Sequence, residues 1–403
     1  MESILPRAIP RGAVWFLAGR VMSGLGDGIT SIVVQLYLVE LGFNAGELGL
    51  AFMLKFAGAA IVTIPAGYLA DRYRRDIVLS LGLMLFIPGI ILFIFSRTLE
   101  ILVLSLLLIG LSDAAFVVLT PLYSSFFKEG DMDRAFSLDG FLSIASLSVG
   151  SLFGLIPPIL ASNLGFRVLD SYWVLLIIAV IFYIARFPLY INSIRSLGKL
   201  QRGGVSRLSV RSKDVVAGFV LLTVLLNLGY GVFFNLLPYY AYRRFGAKSD
   251  VLGLLFSLSY IISAVANFIA GRVSERFGSI SLIVTCFGLC APIYLSISQA
   301  PSISWASILI LIRLGLANLA SPLTTSLFMK LLEEGEKATA NGILMTASIG
   351  STAFATWLGG VLMERDLSLP IYLGSSLYAL YASVFYLLMR GKNKKPQFRP
   401  LQI

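Results

Sequence analysis

Apolar runs of membrane-spanning length follow one another along nearly the whole chain, and no other feature restricts its possible folds so strongly. Residues 77–95, "IVLSLGLMLFIPGIILFIF", are one example. A helix that crosses a bilayer needs about 20 mainly apolar residues. Only 13% of the 403 residues are charged, whereas a soluble domain has about 25%. The sequence therefore predicts an all-α integral membrane protein.

Windows of about 20 apolar residues predict twelve transmembrane helices, numbered here helix 1 to helix 12 in chain order. Their predicted limits are 13–41, 46–69, 76–96, 99–123, 135–160, 172–192, 215–242, 250–273, 280–298, 304–328, 338–363 and 370–389. Because the number is even, both termini lie on one side of the membrane. That side carries 22 of the 32 lysines and arginines, which predicts a multi-pass cell-membrane protein with both termini in the cytoplasm.

The second half of the sequence repeats the first at an offset of 204 residues. Gly42 aligns with Gly246, and residues 71–73 (Asp-Arg-Tyr) align with residues 275–277 (Glu-Arg-Phe). Six helices separate the copies, so both halves cross the membrane in the same sense, as in a parallel repeat. We expect a six-helix bundle over 1–192, a basic cytoplasmic linker over 193–213, and a second six-helix bundle with a basic tail over 214–403.

The stretch "GYLADRYRRDIVL" (67–79) joins helices 2 and 3 and carries most of the loop motif G-x-L-a-D-R-x-G-R-[KR]-x-x-l. This motif and the parallel repeat resemble the major facilitator superfamily over essentially the whole chain. The resemblance implies two pseudo-symmetric six-helix bundles, no cofactor, and a monomer that moves a small organic solute by alternating access. Membrane lipids are expected partners, since the net charge of +11 attracts anionic inner-leaflet lipid, and nucleic acid is not.

The same loop predicts a cytoplasmic gate, in which a carboxylate pairs with arginines or with the positive end of a helix from the other half. The predicted gate residues are Gly67, Asp71, Arg72 and Arg75, with a weaker second copy at Gly271, Glu275 and Arg276. The alternative is that these arginines only anchor the topology.

Helix 1 has a polar stripe formed by Arg20, Ser23, Asp27, Ser31 and Gln35, which lie three or four residues apart. Such a stripe is typical of a helix that lines a water-filled cavity. Asp27 lies near mid-membrane, where an ionisable group is costly and marks a functional position. We expect Asp27 to be the main proton-coupling residue; the alternative is a static ion pair with Arg20.

Further charges lie inside other predicted helices. Asp113 in helix 4 is the second proton-coupling candidate. Lys55 in helix 2 is expected to be a partner of Asp113 or of Asp27, or an anchor for an anionic substrate. Asp139 is expected to act at the start of helix 5, and Arg186 to reach towards the cytoplasmic interface. The remaining candidates for the substrate cavity are Arg20, Gln35, Lys55, Asn227, Tyr230, Asn235 and Arg313.

Other functions are less compatible with the sequence. Without histidine, and with two cysteines only, the chain has no predicted His/Cys metal site and no His-dependent catalysis. We expect no enzyme activity, and interpret the acidic loop at Glu333, Glu334 and Glu336 as solvated surface. Proton coupling is expected, with export as one direction of transport. The alternatives are transport of lipid-like amphiphiles and, from another class, a polytopic membrane enzyme or a transport-dead sensor.

Helix 5 lacks part of a pattern that antiporters of this family carry, G-x-x-x-G-P-x-x-G-G. Gly150 and Gly154 keep the spacing, but Leu155 replaces the proline, and prolines occupy positions 157 and 158. The glycines predict close helix packing, whereas the pattern gives no support for exchange of drugs against protons.

Overall fold

The structure is a computed structural model that describes residues 9–72, 75–196, 211–333 and 336–390. Within these ranges the chain is helical, which confirms the all-α prediction. Nine helices are uninterrupted: Arg11–Glu40, Ala45–Arg72, Arg75–Ile94, Val168–Ser196, Ser249–Phe277, Ser279–Ser298, Ile303–Leu331, Lys337–Arg365 and Leu369–Met389, which are helices 1, 2, 3, 6, 8, 9, 10, 11 and 12. Short 3₁₀ turns divide the other three: helix 4 (Leu99–Asp113, Ala114–Val118, Leu119–Ser124), helix 5 (Glu129–Leu152, Phe153–Leu155, Ile156–Leu164) and helix 7 (Lys213–Gly231, Phe234–Leu236, Leu237–Phe245).

In the described part of the chain, eleven of these twelve helices are long and apolar enough to cross a membrane. Helix 11 has 29 residues, one more than its neighbour helix 2, but is less apolar because its sequence is rich in Thr, Ser and Gly. It packs against helices 2 and 7 in the same way as the other spans pack on their neighbours. Part of its polar surface meets protein, since Thr356 is buried and accepts a hydrogen bond from Asn235 of helix 7, and protein contact is where a bilayer tolerates polar groups.

Two ends of the bundle are distinguished below. The near side is the end where helix 1 begins at Arg11 and helix 12 ends at Met389, and the far side is the end where helix 1 stops at Glu40. The positions that the repeat aligns behave alike on the far side: Gly42 (φ +97°) and Gly246 (φ +65°) both adopt the left-handed conformation that glycine favours. Each glycine ends an odd-numbered helix before the chain turns back.

The two halves meet through closely packed glycines on the far side. A Cβ added to Gly49 of helix 2 would lie 3.1 Å from the Cα of Gly360 in helix 11. A Cβ added to Gly253 of helix 8 would lie 3.3 Å from the Cα of Gly154 in helix 5. Small residues let membrane helices approach this closely. The two contacts are equivalent under the repeat, so each half contributes the same kind of surface to the seam.

Helix 1 adds a polar contact to this far-side seam. Helix 7 is interrupted before Pro238, whose ring disfavours a helical conformation in the preceding residue. The Gln35 side chain occupies the interruption: its Nε2 donates to the carbonyl of Asn235 (2.6 Å), and its Oε1 accepts from the N–H of Tyr239 (3.2 Å). These two backbone groups are four residues apart and would pair with each other in a continuous helix. The side chain of Gln35, in the N-terminal half, therefore takes the place of a backbone hydrogen bond within helix 7, in the C-terminal half.

On the near side the same four seam helices expose large apolar side chains: Ile61, Phe141, Phe268 and Met345 are 73%, 69%, 76% and 57% exposed. Gly271 of helix 8 also faces open space, since a Cβ there would meet no atom within 4 Å. Among the described residues, the contacts between the halves therefore concentrate on the far side, and the near-side faces of these helices are exposed.

Glu336 fastens the near-side end of the C-terminal half. Its carboxylate accepts hydrogen bonds from the backbone N–H groups of Arg211 (2.6 Å), Ser212 (3.0 Å) and Glu333 (3.0 Å). Hydrogen bonds from the hydroxyl and N–H of Ser212, with those from the other two N–H groups, hold the pKa of Glu336 at about 2. The Glu336 side chain is buried, so its interpretation as solvated surface was wrong. Glu333 is exposed, as predicted, and Glu334 lies outside the described residues.

Candidate functional site

A cavity of about 530 Å³ lies inside the N-terminal half, between helices 1, 2, 3, 4 and 6. Its wall is largely apolar and aromatic, with Phe52, Phe86 and Trp173 among the lining residues. Four ionisable groups face it, namely Asp27, Lys55, Asp113 and Arg186, and we call these four the N-terminal charge cluster. Two acids and two bases in one apolar cavity form a balanced set of charges, and intramembrane charges normally line such cavities.

Asp27 is held by a tyrosine of helix 6. The hydroxyl of Tyr183 donates to the Asp27 carboxylate (2.7 Å) and lies 2.8 Å from the Thr30 hydroxyl, one helical turn further along helix 1. The side chain therefore points into the cavity, and its hydrogen-bond partner is neutral. The predicted alternative, a static ion pair between Asp27 and Arg20, is wrong because Arg20 has another partner.

That partner is Asp139, with the Arg20 Nε and the Asp139 Oδ1 3.3 Å apart. Asp139 lies ten residues after Glu129, where helix 5 begins, so the prediction that it acts at the start of this helix is wrong. The pair joins helix 1 to helix 5 and lies outside the lining of the cavity. Arg20, predicted as a cavity residue, thus serves contact between helices in this conformation.

Asp113 binds both bases of the N-terminal charge cluster. Its Oδ2 is 3.5 Å from the Lys55 Nζ, and its Oδ1 is 3.7 Å from an Nη of Arg186. Among the alternatives predicted for Lys55, the structure contains the pair with Asp113. These separations are longer than a direct charge-assisted hydrogen bond of about 2.7–2.9 Å. The two ion pairs are loose, and a change in charge at the cavity can rearrange them.

Arg186 is only 5% exposed, so the prediction that it reaches the membrane interface is wrong. Its guanidinium packs on the rings of Phe116 (4.1 Å) and Tyr183 (4.7 Å). The residue lies ten positions before the end of helix 6 at Ser196, or roughly 15 Å along the axis, which is too deep for the side chain to reach the interface. That depth is the sequence signal that could have marked Arg186 as a cavity residue.

A second cavity, of about 350 Å³, lies in the C-terminal half. Among the predicted substrate residues it is lined by Asn227, Tyr230 and Arg313. Asn235 is not in its lining and donates instead to the Thr356 hydroxyl (2.6 Å). Between the two cavities, Tyr260 of helix 8 lies beside Ser31 of helix 1 and within electrostatic reach of Asp27.

The predicted gate is described only in its second copy. Glu275 and Arg276 are exposed near the end of helix 8, and the Arg276 guanidinium lies 5.6 Å from the ring of Phe277. The side chains of Asp71, Arg72 and Arg75, with the surroundings of Gly67, fall outside the described residues. The gate therefore stays a prediction.

Twelve helices in two six-helix halves, a seam that the described residues close at the far side, and cavities with charged side chains inside the bundle define a membrane transporter. The chain belongs to the Major Facilitator Superfamily, whose sequence profile matches residues 16–213 and 219–402. It is consequently a multi-pass transporter of small molecules and not an enzyme.

Two curated relatives match most of the chain. An uncharacterized MFS-type transporter of Methanocaldococcus jannaschii is 22% identical over 346 residues, which is 83% of this chain and 86% of the relative. Multidrug resistance protein 1 of Bacillus subtilis is 24% identical over 367 residues, which is 88% of this chain and 90% of the relative.

Among solved structures, a bacterial homologue of the iron transporter ferroportin shares the fold in two conformations. Its inward-facing structure matches with a TM-score of 0.79 at 17% identity, over 94% of this chain and 99% of that one. Its outward-facing structure matches with a TM-score of 0.61 at 18% identity, over 94% and 100%.

Proposed function

We propose that this protein is a proton-coupled secondary transporter that moves a small organic solute by alternating access. In this proposal Asp27 carries the proton, and Asp113 with Lys55 and Arg186 responds to its charge. The proposal is supported above all by one observation: Asp27 faces a cavity near the middle of helix 1, bonded to the Tyr183 hydroxyl rather than to a base.

The charge balance of the cluster gives the coupling a physical basis. With both acids ionised, the two carboxylates compensate Lys55 and Arg186. A proton on Asp27 leaves one base in excess inside an apolar cavity, where uncompensated charge is costly. The protonated and unprotonated cluster therefore favour different arrangements of the helices around it, which is the requirement for a ligand to shift a conformational equilibrium.

We further propose that the near side is cytoplasmic, so that this conformation opens inwards. The proposal rests on the distribution of lysine and arginine, which favours cytoplasmic termini. Closure of the near side would bring the halves together at the loop between helices 2 and 3, where the gate of Asp71 and Arg72 is predicted. The far-side seam of Gly49, Gly360 and Gln35 would open in the same movement.

The relative named as a multidrug resistance protein suggests export as one direction of transport. Helix 5 bears on this point. Gly150 packs on the backbone of Leu25, and Gly154 packs on Gly253, so the glycines of the antiporter pattern retain a packing function. The proline and the final glycines of that pattern are absent. We therefore propose proton coupling without choosing between import and export.

The experiment is transport in vesicles that contain the purified protein and carry an imposed pH gradient of either sign. A panel of radiolabelled sugars, cationic dyes, aryl carboxylates and lysolipids provides the test compounds. We expect the gradient to drive accumulation of one class, and an ionophore that collapses the gradient to abolish it. Equal transport with and without the gradient would contradict proton coupling, and accumulation of lysolipids alone would favour the amphiphile alternative.

A further inference from the structure

Arg313 of helix 10 is enclosed by aromatic side chains in the C-terminal half. Its guanidinium lies 4.2 Å from the ring centre of Phe234, 4.8 Å from Tyr378, 5.4 Å from Tyr230 and 5.5 Å from Tyr294. The residue is 1% exposed. Rings at these distances attract a cation and hold a planar guanidinium in place. Because the rings carry no net charge, they fix the position of the guanidinium without neutralising it.

Arg313 has no acidic partner among the described residues. No carboxylate lies within ion-pair distance in that part of the chain, and its buried Nε has no hydrogen-bond acceptor. A buried charge without a partner is unfavourable and normally acquires one. A missing counterion at a fixed guanidinium therefore indicates that the counterion is supplied from outside the protein.

The cavity beside Arg313 has a lining that suits an external counterion. Arg313 is the one charged residue of the described lining, and the remainder is aromatic, aliphatic or neutral polar. Asn318 donates to the Ser263 hydroxyl (3.0 Å) and Asn227 donates to the Thr223 carbonyl (2.8 Å). These amides are already engaged with the protein, which leaves Arg313 as the dominant attraction for a ligand.

A path connects this cavity to the near side. A third cavity, of about 310 Å³, shares Leu226, Asn227 and Ser321 with the second and extends to Phe219 and Asn341, near the beginnings of helices 7 and 11. Both helices begin on the near side, where the halves are apart. A solute could therefore reach Arg313 in the conformation described here.

We propose that the C-terminal cavity binds a small organic anion, with a carboxylate or sulfonate at Arg313 and an aromatic or aliphatic body against Phe234, Tyr230 and Tyr378. A guanidinium offers paired donors to such a group, and the rings offer apolar area. This inference deepens the proposed function by naming the chemical class of the transported solute.

The experiment is calorimetric titration of the purified protein in detergent with 2-naphthalenesulfonate, alongside the neutral 2-naphthalenesulfonamide of nearly the same shape. We expect the sulfonate to bind and the sulfonamide to bind about 10- to 100-fold more weakly, the range of one charge-assisted hydrogen bond. Equal affinity for the two compounds, or no binding of either, would overturn the proposal. This comparison needs no variant, so it does not depend on the folding of one.

Variants then locate the site. Arg313→Met is expected to lose the preference for the sulfonate, Arg313→Lys to keep part of it, and the control Arg97→Met, at an exposed arginine, to bind like the unmodified chain. An unchanged preference in Arg313→Met would place the anion elsewhere and contradict the assignment. The test is separable from that of transport: sulfonate binding without gradient-driven transport contradicts the proposed function alone, whereas gradient-driven transport without sulfonate binding contradicts the anion site alone.

Discussion

Among the described residues, each half of the molecule buries one arginine against aromatic rings, and the N-terminal half alone provides an acid for it. Arg186 lies 4.1 Å from the ring of Phe116 and 3.7 Å from the Asp113 carboxylate. Arg313 lies 4.2 Å from the ring of Phe234 and has no acid among the described residues. The two sites therefore share their packing and differ in the source of the compensating charge.

Under the two proposals above, this difference gives the two halves separate tasks. The N-terminal charge cluster compensates its own charges and can respond to the gain or loss of one proton. The C-terminal cavity has an uncompensated cation and can respond to an anion. Tyr260, which lines the C-terminal cavity and lies beside Ser31 and within electrostatic reach of Asp27, is where the two regions meet.

The largest expected effect is a difference in the free energy of unfolding between variants of Arg186 and of Arg313. Arg186→Met removes one partner of a buried pair, which costs about 3–5 kcal/mol in a fully buried site. Because Asp113 keeps Lys55 and remains partly exposed to the cavity, we expect a loss of about 2–3 kcal/mol. Arg313→Met leaves no acid unpaired, so the lost cation–π attraction of about 2 kcal/mol is offset by relief of a buried charge. Thermal unfolding in detergent, without added anion, measures both.

The matched control is Arg186→Met combined with Asp113→Asn, which removes the acid as well. We expect the double variant to recover part of the stability, since the coupling between two contacting groups is lost in both. A greater loss in Arg313→Met than in Arg186→Met would contradict the comparison, because it would mean that Arg313 is already compensated within the chain.

A smaller effect is expected at the seam that joins the two regions. Gln35→Met keeps the side-chain volume but removes the hydrogen bonds to Asn235 and Tyr239, which bridge helices 1 and 7 at 2.6 and 3.2 Å. Two such bonds contribute about 1–3 kcal/mol. Their loss should shift the equilibrium between far-side-closed and far-side-open conformations towards the open one. Distances between spin labels on helices 2 and 11 measure that shift.

The matched control is Gln299→Met, because this glutamine is exposed at the far-side end of helix 9. It should leave the distance distribution unchanged. If Gln35→Met also leaves it unchanged, the Gln35 bridge does not hold the far side closed, and the glycine contacts alone would have to do so.

The smallest expected effect concerns pH and the near-side end of the C-terminal half. Glu336 has a pKa of about 2 in the folded chain and an ordinary value of 4.5. Because folding lowers this pKa, the stabilisation is complete above about pH 4.5 and disappears as the pH falls towards 2. We expect Glu336→Gln to be less stable than the unmodified chain at pH 7, and the difference to narrow between pH 4.5 and 3. Glu275→Gln, at an exposed carboxylate, should show no such dependence.

Much of the architecture follows from local sequence. Membrane-length apolar runs gave twelve spans, and the repeat offset correctly paired Gly42 with Gly246, since both need the same left-handed turn. The depth of Asp27 and Asp113 within their helices placed both near mid-membrane, and both line one cavity. These properties depend on the period and length of a single helix, which a sequence displays directly.

The choice of partners does not follow in this way. Arg20 pairs with Asp139, on another helix, and not with Asp27 on its own helix. Gln35 bonds the backbone of a helix in the other half, which no pattern within helix 1 indicates. Such contacts depend on how helices rotate and cross, and those angles are set by packing over the whole bundle. The position of Arg186 in the cavity was not predicted for the same reason, although its depth within helix 6 could be read from the sequence.

The central claim is that the Asp27 carboxylate carries the coupled proton, and one measurement tests it most directly. With the compound that a pH gradient accumulates, exchange of labelled for unlabelled solute and gradient-driven accumulation are measured on the same vesicles containing Asp27→Asn. Exchange moves no net proton, so the account predicts that exchange persists while accumulation falls to background. Retained accumulation, or equal loss of both activities in a folded variant, would contradict it.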